Sequence, residues 1–342
     1  MAPRSKAGRT HKSATNICTD HTTIDKADLS PMYKHYVEMK EKYPHALLLY
    51  RVGDFFECFF QDAVTISQAL ELVQTSKEAG IGRVAMTGVP HHALERYSTL
   101  LVEKGYAVAI CDQVEDAATA AAAGRKMVKR ELQKLLTPGT LTDDGMLTAR
   151  RNNFLAAVVI AGEHWGLAYA DISTGEFSTT QSQGLNNLSL ELLRLQPSEV
   201  LIPTNAPDIN GLLRPGEQSE YLADCLPESF CYSLRSQKPF TLIESTQRIK
   251  DSFNLSSLEG MGCAKLPLGV RAAGGLLEYV EDTQKAYQVP LQPLKSYSLA
   301  DYLILDNQSR RNLEITQTAL VIATFDRYQG NSCPTRDDRG VG

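Results

Sequence analysis

No apolar run in the 342-residue sequence is long enough to cross a bilayer. The longest, such as 154–161, fall far short of the roughly 18 residues a span requires. No signal-peptide core follows the N-terminus, so membrane and secreted classes are excluded. CxxC and zinc-finger spacings are missing. The seven cysteines, at 18, 58, 111, 225, 231, 263 and 333, are odd in number and scattered, and read as reduced thiols. HExxH, GxSxG, GxGxxG and the P-loop pattern GxxxxGK are absent, which leaves no motif for zinc hydrolysis, a serine elbow or nucleotide phosphates. Gly80-Ile81-Gly82 and Gly274-Gly275 complete none of these, and the second pair lies in a helical pattern where close helix packing explains it better. Basic excess is missing too. With 35 basic against 40 acidic residues the net charge is −5, which argues against bulk neutralisation of phosphate. That figure averages over domains, however, while binding is local.

What remains is the composition of a soluble globular chain, 43% hydrophobic and 22% charged, with length for two or three domains. Positions 1–29 carry Arg4, Lys6, Arg9 and Lys12 with no acid before Asp20, and read as a disordered basic tail. Order is expected from Ser30-Pro31, an N-cap and first-turn proline opening a helix to about Tyr43. A buried strand over 46–52 ends at Gly53-Asp54. A helix over 62–70, a loop or hairpin over 75–83, a helix over 92–104 and a strand over 106–112 follow. This first unit is mixed α/β, over 30–136. Arg125, Lys126, Lys129, Arg130 and Lys134 against Glu131 leave a local charge of +4 (five minus one) and read as a solvated helix face. Thr137-Pro138-Gly139-Thr140 opens a linker over 137–145. The second unit, 146–290, starts with three strands (154–160, 165–171, 176–180) in an antiparallel meander. A helix over 188–195, a strand over 199–202 and helices over 241–253 and 270–283 continue it, the pattern of ribonuclease-H-like α/β domains. A strand over 301–305 and a short helix over 307–313 belong to a third fragment, 291–318, and no internal repeat is visible.

Three constellations could carry chemistry. In Gly53-Asp54-Phe55-Phe56-Glu57, residues 55 and 57 of an extended segment project together, opposite Phe56. A ring beside a carboxyl fits no metal or nucleophile site. It fits a wedge that enters a base stack while its partner tests a base edge. Asp171 closes a central strand, as a Mg²⁺-binding carboxylate of a nuclease would, with Glu176 and Glu191 as the only companions near in sequence. A turn-forming aspartate before Ser173-Thr174-Gly175 is the simpler expectation. Vicinal His91-His92 opens a helix and lacks a third ligand in view, as do Cys18 and His21.

Six motifs in order also carry a resemblance. They are Gly53-Asp54-Phe55-Phe56-Glu57, Gly88-Val89-Pro90-His91-His92-Ala93, Ala109-Ile110-Cys111-Asp112-Gln113, Thr137-Pro138-Gly139-Thr140, Asp171-Ile172-Ser173-Thr174-Gly175 and Arg311-Asn312-Leu313-Glu314-Ile315. Over about 30–318 the chain resembles the N-terminal part of the MutS family of bacterial DNA mismatch-repair proteins. The resemblance implies a mixed α/β mismatch-recognition domain, a ribonuclease-H-like connector domain and the stub of a helical core domain. It further implies that Phe55 inserts from the minor groove and stacks on a mispaired or unpaired base while Glu57 hydrogen-bonds that base through a protonated carboxyl. Lys77 would lie on phosphate and Met86 beside the wedge. The partners implied are mismatched double-stranded DNA and, through the connector, MutL. Position 56, often tyrosine in the family, is Phe here, and position 58 is an unusual Cys. After Thr318 the similarity stops, and 319–342 lacks a helical period. The expectation is a truncated product without the ATPase domain: not an enzyme, with no catalytic or metal residue and no cofactor of its own (ATP and Mg²⁺ belonging to the full-length family), monomeric, cytoplasmic and nucleoid-associated. The alternatives are the Mg²⁺-dependent nuclease and a nonfunctional truncated product.

Overall fold

Two mixed sheets, each with helices packed on both faces, form the two α/β units. The computed structural model describes residues 17–115, 124, 128–141, 152–206, 211–284 and 289–301. The tail over 319–342, the strand and helix expected over 301–313 apart from Asp301, and most of the expected core-domain stub lie outside the described residues.

The first sheet has six strands: β1 (Ala46–Val52), β2 (Phe55–Phe59), β3 (Thr75–Glu78), β4 (Arg83–Pro90), β5 (Ala107–Gln113) and β6 (Arg130–Leu136). Their spatial order is β3-β4-β2-β1-β5-β6, and only β1 and β5 run parallel. The helices are α1 (Pro31–Lys42), α2 (Phe60–Leu70) and α3 (Leu94–Glu103). Alternation along β1 divides the core in two. Ala46, Leu48 and Tyr50 pack with Tyr33, Tyr36 and Val37 of α1, while Leu47 and Leu49 pack with α2 and α3 through Ile66 and Leu101. The aromatic cluster splits the same way. Phe56 joins the second core, Phe59 and Phe60 the first, and Phe55 neither. Phe59 and Phe60 share a face because the chain passes from β2 into α2 without a loop, Phe60 taking a left-handed φ of 55°. That conformation costs about 1–2 kcal/mol, offset by burial of both rings against Tyr36, whose ring meets Phe59 edge-on at 5.0 Å. A buried ion pair braces the same layer. Lys40 Nζ lies 2.8 Å from Asp62, which also accepts from the Tyr36 hydroxyl and the Leu48 amide, while Lys40 donates to the Ala46 carbonyl.

Two expectations in this unit are corrected. Residues 17–29 are packed, not a free tail. Cys18 bridges Val84 beyond the end of β2, and Leu29 is buried with Ile24 and Cys18 against the α1-side core. Few apolar residues suffice there because backbone hydrogen bonds (Cys18 to Arg83 and Ala85, Ser30 to Ala79) do the rest. The charged stretch is not a helix over its described part either. Residues 130–136 form β6, an edge strand, and charged side chains are what an exposed edge carries to avoid pairing with other chains.

The second sheet contains the expected meander β7 (Phe154–Ala161), β8 (His164–Asp171) and β9 (Glu176–Gln183). It continues with β10 (Glu199–Thr204), β11 (Leu212–Leu213), β12 (Cys231–Ser236) and β13 (Lys295–Ser296). The order β11-β12-β10-β7-β8-β9-β13, with β10 parallel to both β7 and β12, is the ribonuclease-H-like arrangement. On one face α4 (Leu185–Leu195) covers Trp165 and Leu167. On the other α6 (Pro267–Thr283) covers Ala168 and Ala170, with α5 (Leu242–Phe253) packed against it. Gly274 and Gly275 are packing residues: a Cβ on the first would lie 2.2 Å from Ser245 Cβ, and on the second 2.2 Å from the Phe240 ring.

The segment after β6 is docked. Thr137, Thr140 and Leu141 are buried, and the Gly139 amide donates to Glu199 at 2.9 Å. Glu199, wholly buried, also accepts from the hydroxyls of Ser233 and Tyr279, each at 2.6 Å. Burial, with the Glu199 carboxylate beside it, holds the Tyr279 phenol far above its ordinary range, so it stays a donor. Gln284 closes the joint by donating to the Thr140 carbonyl at 3.1 Å.

Candidate functional site

The β1–β2 hairpin builds the most conspicuous surface feature. Gly53, at φ +59, turns the chain in a left-handed conformation that a glycine adopts without strain. Phe55 then starts β2 with 49% of its surface exposed, while Phe56 beside it is fully buried. Among the described residues it is the one phenylalanine left as an exposed large apolar side chain.

Its mounting is stiff. The Phe56 ring stacks on His91 with centroids 5.8 Å apart, and the Arg51 guanidinium lies 5.3 Å from the same ring. Arg51 also donates to the Gly53 carbonyl, and the His91 amide donates to the Asp54 carbonyl at 2.8 Å. Both residues of the turn are thus held, and Pro90 is the strand partner of Phe55. Arg51 and His91 escaped the reading of the sequence, because only strand register sets them beside Phe56, Arg51 as its β1 partner and His91 at the end of β4. The signal available was the Gly88-Val89-Pro90-His91 motif, which pointed to a helix start.

Glu57 lies two residues along the same face, opposite Gly88 on β4. A Cβ on Gly88 would come within 3.0 Å of the Phe56 carbonyl, so the glycine suits the close pairing of β2 with β4 beside Glu57. Both carboxylate oxygens accept from Lys77 Nζ, at 2.7 and 3.0 Å. The pair bridges from β2 to β3 across β4. Glu57 is mostly covered, at 13% side-chain exposure, and Lys77 is less so, at 38%. Tyr33 on α1 lies within the field of this carboxylate. Burial first, then the charges of Glu57 and Glu78, push its phenol up to about 12. Met86, expected beside the wedge, is opposite Phe59 and accepts from the Thr75 hydroxyl. It stands four residues along β4 from Pro90, a separation set by the antiparallel register. Phe55, Glu57, Lys77 and Met86 therefore occupy three adjacent strands, with Glu57 and Lys77 in contact.

The departures at positions 56 and 58 are accommodated. Phe56 needs no hydroxyl between Arg51 and His91, and Cys58 is fully buried, its thiol pushed well up by burial and then by Asp62.

Asp171 is a turn residue. Its Oδ1 accepts from the Ser173 amide at 2.9 Å and the Ser173 hydroxyl at 2.6 Å. Glu176 accepts from Tyr169, and Glu191 pairs with Arg194 at 2.5 Å and accepts from Tyr297. Among the described residues no group of three His, Cys, Asp or Glu could hold a metal ion, so the carboxylate cluster a nuclease needs is not assembled. No helix among them is long and apolar enough to cross a membrane.

Comparison with known proteins places both domains in one family. The model of MutS domain I matches residues 30–145 and that of MutS domain II matches 153–295. The chain is 72% identical over 301 residues to the DNA mismatch repair protein MutS of Microcystis aeruginosa, covering 87% of this chain and 34% of that protein. It is 68% identical over 301 residues to the MutS of Synechocystis, with 87% and 34% covered. To the MutS of Nostoc punctiforme it is 65% identical over 318 residues, with 93% and 35% covered. The chain thus spans about a third of the length of these relatives.

Proposed function

The chain belongs to the MutS family of DNA mismatch-repair proteins, and from that premise we propose that it recognises mispaired or unpaired bases in double-stranded DNA by inserting Phe55. The observation that carries this is an exposed aromatic ring on a turn whose next residue is clamped between Arg51 and His91. A wedge that unstacks a base step must not fold back, and fixing Phe56 fixes its neighbour. Unstacking a step costs a few kcal/mol, and stacking a base on a ring returns about 1–3 kcal/mol. A mismatched step has less to lose, so insertion is favourable there and unfavourable in sound duplex. Discrimination is then a reading of deformability and not of sequence.

Glu57 meets the edge of the displaced base, and Lys77 a backbone phosphate. Met86 supports the strand opposite Phe59 on the same face. The second domain relays binding and contacts the partner MutL. Fluorescence anisotropy tests the proposal, with a G·T or one-base-bulge duplex against a matched one at low salt. The expected result is a mismatch preference that falls about 5- to 150-fold in Phe55→Ala, the equivalent of that stacking energy. No preference, or one indifferent to Phe55, refutes it.

A further inference from the structure

Resting on that recognition function, we propose that Lys77 is a positioning residue that latches Glu57 and releases it when a DNA phosphate takes its place. The Glu57 carboxylate is mostly covered and not open to solvent. Both its oxygens are engaged by one ammonium from two strands away. A carboxylate so held cannot test a base edge. A lysine so engaged has committed donors that a phosphate needs. The two roles that the wedge surface requires are therefore mutually blocked in the free protein.

The blocking group is also well chosen for release. An ammonium is a point charge with three rotatable donors and no fixed fork, so it can exchange carboxylate for phosphate oxygen by side-chain movement alone. Lys77 is the more exposed partner and Glu57 the more covered one, so an arriving anion reaches the cation first. Phosphate contact and base contact then form together or not at all. On matched duplex, where the ring does not enter and the backbone is not drawn in, the latch stays shut and weakens unspecific binding.

A double-mutant cycle on the whole chain tests this by anisotropy with matched and mismatched duplexes. Glu57→Ala frees Lys77, so it should tighten matched-duplex binding about fivefold more with Lys77 present than in a Lys77→Gln background, the scale of one such ion pair. Lys77→Arg should restore most of that difference. Glu57→Gln, which keeps the shape of the side chain, repeats the comparison should the alanine variant unfold. If Glu57 acts only by repelling DNA, its removal helps equally or more in the Gln background, and the latch is refuted while recognition stands. A lysine of purely structural use would shift matched and mismatched affinities by one common factor, which also refutes the latch. If the unaltered chain binds no mismatched duplex at low salt, recognition itself fails and the latch with it.

Discussion

Replacing Gly274 by alanine should destabilise the second domain although alanine is the better helix former. Alanine in a helix interior gains about 0.5–1 kcal/mol over glycine. The added Cβ would stand 2.2 Å from Ser245 Cβ and 2.3 Å from Ser245 Cα, and no rotamer change can move that backbone atom out of the way. The clash is relieved only by parting α5 from α6, which also disturbs the Ser245 hydroxyl's bonds to the Pro239 and Arg271 carbonyls. Overpacking of this kind costs about 1–3 kcal/mol, and a clash with main chain puts it at the upper end. The net loss should be about 2 kcal/mol. Trp165, the sole tryptophan and fully buried in β8, reports this domain alone. With a urea slope of about 2 kcal/mol per M, its fluorescence midpoint should fall by about 1 M. Gly260→Ala, whose Cβ would meet nothing within 4 Å, is the control and should stay within about 0.5 kcal/mol. An unchanged or raised midpoint for Gly274→Ala would refute the packing account of the glycine pair.

Other parts of the structure make equally direct predictions. Asp62→Ala leaves the Lys40 ammonium buried without its counter-ion and should cost about 3–5 kcal/mol, measured by urea unfolding followed by far-UV circular dichroism; a loss under about 1 kcal/mol would show that water relieves the site. Glu199→Ala removes the acceptor shared by the Gly139 amide and the hydroxyls of Ser233 and Tyr279, so amide exchange at Gly139 should quicken by about tenfold or more, the equivalent of one unsatisfied buried group. Unaltered exchange would mean that the segment is held by other contacts. Burial raises the thiols of Cys111 and Cys231 to about 12 and Cys263 to about 11, and pushes that of Cys58 well up. These four should therefore resist a thiolate-selective reagent at pH 8 until the chain unfolds, whereas Cys18 and Cys225 are only half-buried. Prompt labelling of Cys58 in the native state would contradict the packing of β2.

The elements legible in the sequence were those whose signal is local. The mostly apolar run over 46–52, ended by Gly53, gave β1, and turn residues between three strand-like runs gave the β7–β8–β9 meander. Alternation alone placed Phe55 and Glu57 on one face and Phe56 on the other, as the strand does. What stayed hidden depends on distant partners. β6 has the composition of a solvated helix face because edge strands carry charge, and no turn motif marks its pairing with β5. The docking of 137–141 depends on Glu199, sixty residues on from Gly139. Lys77 and Met86 were reached through family resemblance, and the resemblance could not show that Lys77 pairs with Glu57, a residue twenty positions away in sequence. Arg51 and His91 became visible only with the strand register. The surplus of acidic over basic residues is an average over the chain and does not describe the surface around Phe55, where Arg51 and Lys77 stand.

The most direct test of the central claim is the fluorescence of 2-aminopurine placed next to a G·T mismatch. Insertion of the Phe55 ring should unstack the step and raise the emission on titration with the chain. Phe55→Ala should leave the emission flat at protein concentrations where anisotropy still reports binding, and a matched duplex should give little change with either protein. A rise of equal size with Phe55→Ala would contradict the wedge.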